Sequence, residues 1–240
     1  MIRRRQTRLI QIGPLLMGGQ TPVIIQSMNN TDTRDVKATL AQIHRLAEAG
    51  CDMTRVAIPD LEAARALAEI RRQSPMPIVA DIHYDYRLAL AALEAGADKI
   101  RINPGNIGGF DRLRLIAESA RDRQVPIRVG VNSGSLSRAM LEKYNGVNAS
   151  SMVASALEAV AMLEAVSFHN IVISIKASDP LLTVESYRLL ADQTDYPLHV
   201  GVTEAGTRYE GIIRSAVGIG ALLAEGIGDT IRVSLTADPV

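Results

Sequence analysis

Residues 99–120, KIRINPGNIGGFDRLRLIAESA, decide the fold. In Lys99–Ile102 the apolar Ile100 and Ile102 alternate with Lys99 and Arg101, the two-residue period of a strand. A loop with three glycines follows, and then Phe110, Leu113, Ala117 and Ala120 recur at helical spacing. Outward in both directions the same unit repeats. The strand-like runs are Val23–Gln26, Met53–Ala57, Ile78–Ala80, Lys99–Ile102, Ile127–Val131, Ile171–Ile175, Leu198–Val202 and Thr230–Val233. Amphipathic stretches lie between them, as at Val36, Leu40, Ile43 and Ala47, and Asp179-Pro180 supplies an N-cap followed by proline at the first helical position. Gly50 and Gly96 sit where helices stop.

Strand, helix, strand at intervals of about 30 residues means parallel strands joined by crossover helices. Eight such strands in 240 residues predict an α/β fold, a closed (β/α)8 barrel of the TIM type. The competing doubly wound sheet wants a glycine-rich first turn, and Gln26–Asp32 (QSMNNTD) has no glycine. Residues 1–22 predict an N-terminal hairpin, Leu9–Ile12 against Leu15–Met17, capping a barrel formed by 23–240. The sequence stops at Asp238-Pro239-Val240, directly after the eighth strand, where an eighth helix is expected. The expectation is a fragment of a longer chain, or a seam between strands 8 and 1 that a partner or swapped segment covers.

Composition narrows the function classes. The 26 basic and 26 acidic side chains cancel, which argues against nucleic acid or an anionic membrane as the main partner. With no Trp and 3% aromatic residues, base-stacking platforms are not expected either. The single cysteine, Cys51, excludes a disulfide framework and a thiolate-held cluster within these residues. No apolar run has the length of a membrane span, and Leu9–Met17 is interrupted by Gln11, Gly13 and Pro14, unlike a signal peptide. A cytoplasmic location is expected.

In a barrel of this type the active site forms at the C-terminal ends of the strands. The polar residues there are Arg55, Asp81, His83, Arg101, Asn103, Arg128, Asn132, Lys176, Glu204, Arg232 and Ser234. Strand alternation puts 81 with 83, 101 with 103, 128 with 132, and 232 with 234 on one face each. Four or five cations would then share a mouth with two acids. Cations desolvated together are costly unless an anion joins them, and guanidinium forks suit phosphate oxygens. The expected ligand is small and multiply anionic, such as a diphosphate. With only four lysines against 22 arginines, Lys176 stands out as a clamp or, if desolvated, a Schiff-base nucleophile. The glycines of Asn103–Gly109 and Gly130–Gly134 suggest backbone N–H groups near an anion, or plain turns. Asp81 and His83 make half a metal site with no completing ligand, so no metal is expected. Acid–base or hydrogen-bonding duty for Asp81, His83 and Glu204 is favoured. His199, inside strand 7, reads as a core or supporting residue.

Several stretches together resemble the N-terminal barrel of the 4-hydroxy-3-methylbut-2-en-1-yl diphosphate synthase family. They are Val23–Thr33 (VIIQSMNNTDT), Thr54–Pro59 (TRVAIP), Val79–His83 (VADIH), Lys99–Gly108 (KIRINPGNIG), Ile127–Leu136 (IRVGVNSGSL), Ile173–Asp179 (ISIKASD), Pro197–Gly206 (PLHVGVTEAG) and Ser215–Thr236 (SAVGIGALLAEGIGDTIRVSLT). The resemblance implies a barrel binding 2-C-methyl-D-erythritol 2,4-cyclodiphosphate. Arg55, Arg101, Arg128 and Lys176 fall on the family's phosphate-clamping positions, and Asn103 and Asn132 on its asparagines beside the ligand. Asp81, His83, Glu204, Arg232 and Ser234 fall on polar positions around the same pocket. It further implies reductive ring opening with loss of water in isoprenoid biosynthesis, with electrons from ferredoxin or flavodoxin. They pass through a 4Fe-4S cluster held by three cysteines and a glutamate in a separate C-terminal domain of a homodimer. That domain is not in this sequence, so the 240 residues alone are expected to bind substrate without turning it over. The alternatives are a phosphate-binding barrel lyase or pterin-type condensing enzyme, and a non-catalytic diphosphate-binding module.

Overall fold

The structure, a computed structural model, describes residues 2–240. It opens with an antiparallel hairpin, β1 (Ile10–Ile12) and β2 (Leu15–Met17), in which Ile10 pairs with Met17. The barrel strands follow as β3 (Ile24–Met28), β4 (Met53–Ala57), β5 (Ile78–Asp81), β6 (Lys99–Ile102), β7 (Ile127–Asn132), β8 (Ile171–Lys176), β9 (His199–Val200) and β10 (Thr230–Ile231). All pair in parallel in the order β8-β7-β6-β5-β4-β3-β10-β9, and a single parallel bridge between Ile173 and Leu198 closes the ring. Strand 7, expected over Leu198–Val202, is regular for only two residues.

The crossovers are α1 (Val36–Glu48), α2 (Leu61–Gln73), α3 (Tyr86–Glu94), α4 (Phe110–Asp122), a short α5 (Arg138–Lys143) with α6 (Ala149–Glu164), α7 (Pro180–Ala191) and α8 (Arg208–Ala224). Asp179 caps α7 by accepting from the Leu181 N–H, with Pro180 at the first helical position. Gly50 and Gly96 take φ of +87° beyond the ends of α1 and α3, where a side chain would be strained. Outward-facing strand residues such as Ile100, Ile102, Ile127 and Val129 pack with the helices into the main core.

A second, smaller core fills the barrel floor: Ile10, Ile12 and Met17 of the hairpin against Ile24, Met53, Val79 and Val172. Arg4, Arg5 and Thr7 fasten the hairpin. Arg4 reaches the Gly228 carbonyl and the Asp229 carboxylate, Thr7 donates to Asp229, and Arg5 donates to the Tyr196 carbonyl. Among the described residues no helix follows β10. Residues 232–240 instead turn back toward α1 and β3, with Arg45–Asp238 at 2.9 Å and the Ser27 hydroxyl on the Pro239 carbonyl. A groove of about 550 Å³ lies along this seam, lined by Ile25, Leu46, Cys51 and Val233 among others.

Candidate active site

At the C-terminal ends of the strands a cavity of about 170 Å³ is lined by Met28, Arg55, Asp81, His83, Arg101, Arg128, Asn132, Ser174, Lys176, Thr203 and Arg232. Strand alternation brings most of them: Asp81 ends β5, Arg101 is the inward residue between Ile100 and Ile102, and Ser174 and Lys176 are two apart on β8, while His83, Thr203 and Arg232 follow just past strand ends. One acid organises the cluster. Asp81 Oδ1 accepts from Arg101 Nη1 at 3.2 Å, Oδ2 lies 3.2 Å from His83 Nε2, and Arg55 Nε stands 3.6 Å away. Burial alone would raise the Asp81 carboxyl. Arg55, the His83 hydrogen bond, Arg101 and Arg128 outweigh it and hold the group far below the usual carboxylate range.

The cations outnumber that acid. Arg128 is 1% exposed, and its Nε and Nη1 have no hydrogen-bond acceptor among the described residues. Burial, with Arg55 and Arg101 beside it, pushes its guanidinium well below the ordinary value. Lys176 is displaced the same way by burial and by Arg128, and burial and Arg55 bring Arg232 down to about 9. A buried donor without an acceptor costs about 1–3 kcal/mol, more when charged. Such a group of cations is stable only beside compensating anions, and the forked guanidinium of Arg128, with two unspent donors, matches the oxygens of a phosphate or diphosphate.

Two glycines make room. A Cβ on Gly130, inward on β7, would lie 2.5 Å from Arg101 Nε, and one on Gly201 would lie 2.8 Å from Lys176 Nζ. Sequence reasoning offered Gly130 as a backbone anion donor; in the structure it sits inside β7 and seats Arg101. The Asn103–Gly109 loop likewise does not line the cavity. Its Asn103 Oδ1 accepts from the Gly105 N–H within the turn.

The cavity thus gathers Arg55, Asp81, His83, Arg101, Arg128, Asn132, Lys176 and Arg232 and leaves out three expected residues. Asn103 turns its Oδ1 to the Gly105 N–H, Ser234 lies on the half-buried stretch after β10, and Glu204 is exposed on a loop at φ +49°. Sequence reasoning missed Met28, Ser174, Thr203 and, beneath the cavity, Lys99. Lys99 is fully buried, its Nζ 3.3 Å from Met53 Sδ, and burial with Arg128 and Arg55 pushes it well below its ordinary value. Its position two residues before Arg101 on the same face was the available signal.

An iron–sulfur cluster needs several thiolates. The one cysteine, Cys51, lies just after α1, its Sγ against the carbonyls of Met53 and Ile25. Among the described residues no three His, Cys, Asp or Glu are grouped to hold a metal ion. The residues present do not fit such a cluster.

Solved structures share the architecture at low identity. The dihydropteroate synthase of Xanthomonas albilineans superposes with a TM-score of 0.62 at 16% identity, over 98% of this chain and 94% of that one. The phospho-2-dehydro-3-deoxyheptonate aldolase of Thermotoga maritima gives 0.67 at 14%, over 95% of this chain and 64% of that one. At such identities the likeness speaks for the barrel alone. Sequence relatives are far nearer. The chain is 62% identical over 239 residues to 4-hydroxy-3-methylbut-2-en-1-yl diphosphate synthase (flavodoxin) of Ruminiclostridium cellulolyticum, covering 100% of this chain and 68% of that protein. For the proteins of the same name from Maridesulfovibrio salexigens and Geobacillus kaustophilus the identities are 58% and 57%, with 100% of this chain and 67% and 64% of theirs. The chain therefore spans about two thirds of the length of these relatives. Residues 7–240 match the family model described as the GcpE TIM-barrel domain. With that match running from the hairpin through the last strand and round the whole ring of strand-end cations, the chain belongs to the GcpE TIM-barrel family.

Proposed function

We propose that this barrel is the substrate-binding part of a flavodoxin-dependent 4-hydroxy-3-methylbut-2-en-1-yl diphosphate synthase, and that it holds 2-C-methyl-D-erythritol 2,4-cyclodiphosphate in the strand-end cavity. The observation that carries the reading is the imbalance there: five cations line the cavity, one acid offsets them, and two donors of Arg128 have no acceptor. In this reading Arg55, Arg101, Arg128, Arg232 and Lys176 take the diphosphate oxygens, and Asn132, Ser174 and Thr203 add neutral hydrogen bonds. As one carbon–oxygen bond of the ring breaks, negative charge develops on the freed end of the diphosphate, which stays esterified at the other, and this cluster stabilises the charge where it develops.

Asp81, held ionised, serves as the fixed counter-charge that aims Arg55, Arg101 and His83, and is unsuited to donate a proton. His83 is 55% exposed at the rim and bonded to Asp81, so it is the group placed to carry a proton to the departing hydroxyl, which leaves as water. The two electrons come from flavodoxin, and the iron–sulfur cluster of the whole protein is held by residues other than these. A homodimer in which one subunit covers the other's barrel belongs to the same proposal.

Calorimetric titration with the cyclic diphosphate tests the reading. One-site binding that falls steeply with Arg128→Met is expected; no measurable binding by the unaltered protein would overturn it.

A further inference from the structure

Beneath the cavity, on the side away from solvent, Lys176 has one hydrogen-bond partner among the described residues. Its Nζ lies 3.1 Å from Nε2 of His199, and both residues are buried. The other imidazole nitrogen, Nδ1, lies 3.4 Å from the hydroxyl of Thr230 on β10, also buried. The main chain fixes the pair as well. The Tyr187 hydroxyl, brought by α7, accepts from the Ile175 N–H and donates to the His199 carbonyl. One phenol thus ties the residue before Lys176 to the residue that faces it, across the junction where regular β8–β9 pairing is reduced to the bridge of Ile173 with Leu198. Gly201, two residues past His199 on the same face, leaves the space into which Lys176 Nζ extends.

We propose that His199 is a positioning residue for Lys176. A neutral imidazole with its proton on Nδ1 donates to Thr230 and accepts the Lys176 N–H through Nε2, which aims the ammonium at the diphosphate. The inference rests on the reading of the cavity given above. Burial and the charges acting on the ring, from Lys176, Arg128, Lys99 and Arg55, all disfavour its protonation, and a neutral ring protonated at Nδ1 has only a lone pair to offer at Nε2. Without the histidine the Lys176 stem has rotamers to choose among, and the order is lost before the ligand arrives.

The test measures affinity of the whole protein for inorganic diphosphate in wild type, His199→Phe, His199→Gln, Lys176→Met and the Phe/Met double variant. His199→Phe is expected to weaken binding by about tenfold, while His199→Gln, which keeps an acceptor within reach of Nζ, stays within about threefold of wild type. In the Lys176→Met background His199→Phe should change affinity by less than about twofold, because its effect runs through the lysine. An equal loss in both backgrounds marks a general structural role and overturns the proposal. Wild-type protein that binds no diphosphate removes the reading of the cavity and this inference together; binding that His199→Phe leaves intact removes this inference alone. Should the Phe variant not fold, ¹⁵N shifts of the wild-type imidazole decide. A protonated Nδ1 and bare Nε2 are expected, and a protonated Nε2 would sink the idea.

Discussion

The two ends of this barrel obey opposite rules. At the floor, Ile10, Ile12 and Met17 from the hairpin meet Ile24, Met53, Val79 and Val172 in an apolar plug. At the mouth, the same alternation of inward residues supplies Arg55, Arg101, Arg128, Lys176 and Arg232 around one carboxylate. The floor contributes stability by removing apolar surface from water. The mouth gives some of it up, since burying cations without enough acceptors is unfavourable. The contrast teaches that one strand can serve both purposes: Val172 belongs to the plug, and Lys176, four residues on, to the cavity.

The comparison can be broken from either end. Arg128→Met should have the largest effect, lowering affinity for the cyclic diphosphate by about 3 kcal/mol or more while raising the unliganded melting temperature. A calorimeter and a thermal melt check both halves, and a lower melting temperature would mean the buried guanidinium is internally compensated. Ile12→Ala at the floor should do the reverse. Loss of about 2–4 kcal/mol in chemical denaturation is expected, with affinity unchanged in the protein that remains folded. Gly130→Ala probes the mouth's packing. The added methyl displaces Arg101, and affinity should fall by about 1–3 kcal/mol with little change at the floor.

A pH series sharpens the picture with the smallest effect. Burial holds His199 below its ordinary value of 6.5, so the unfolded chain takes up a proton that the folded one refuses. Above 6.5 neither state binds it and the linkage is silent; as pH falls below 6.5, stability drops by up to about 1.4 kcal/mol per unit. Denaturation of His199→Gln should lack that increment between about pH 6.5 and 5. Equal slopes in the two proteins would show that His199 accepts a proton in the fold.

The period-two runs and the helix stops made the barrel legible, and the hairpin was readable from Leu9–Met17 because Gly13 and Pro14 separate two short apolar runs. Arg101, Arg128 and Lys176 were legible because a cation between apolar neighbours on a strand has to face inward or be wasted. Lys99 escaped notice because it opens its strand, although it shares a face with Arg101; the pairing of Val79 with Lys99 places it inside the ring. Gly130 and Gly201 were opaque for a related reason: what a missing Cβ makes room for depends on the neighbouring strand's register. Asn103 and Glu204 do not line the cavity, since a residue just past a strand can turn away from the mouth as easily as into it.

The fastening of the hairpin carries a consequence for the order of events during synthesis. Arg4 and Thr7 find their partners at Gly228 and Asp229, more than 220 positions later in the chain. Until that stretch emerges, Ile10, Ile12 and Met17 have no completed ring to plug, so the nascent chain carries an exposed apolar segment until Asp229 has been made. Contacts this distant in sequence make folding slow and leave intermediates prone to aggregate. A chain shortened before Asp229 should therefore be held by chaperones, the hairpin undocked, and should gain its protease resistance only once those last strands are made.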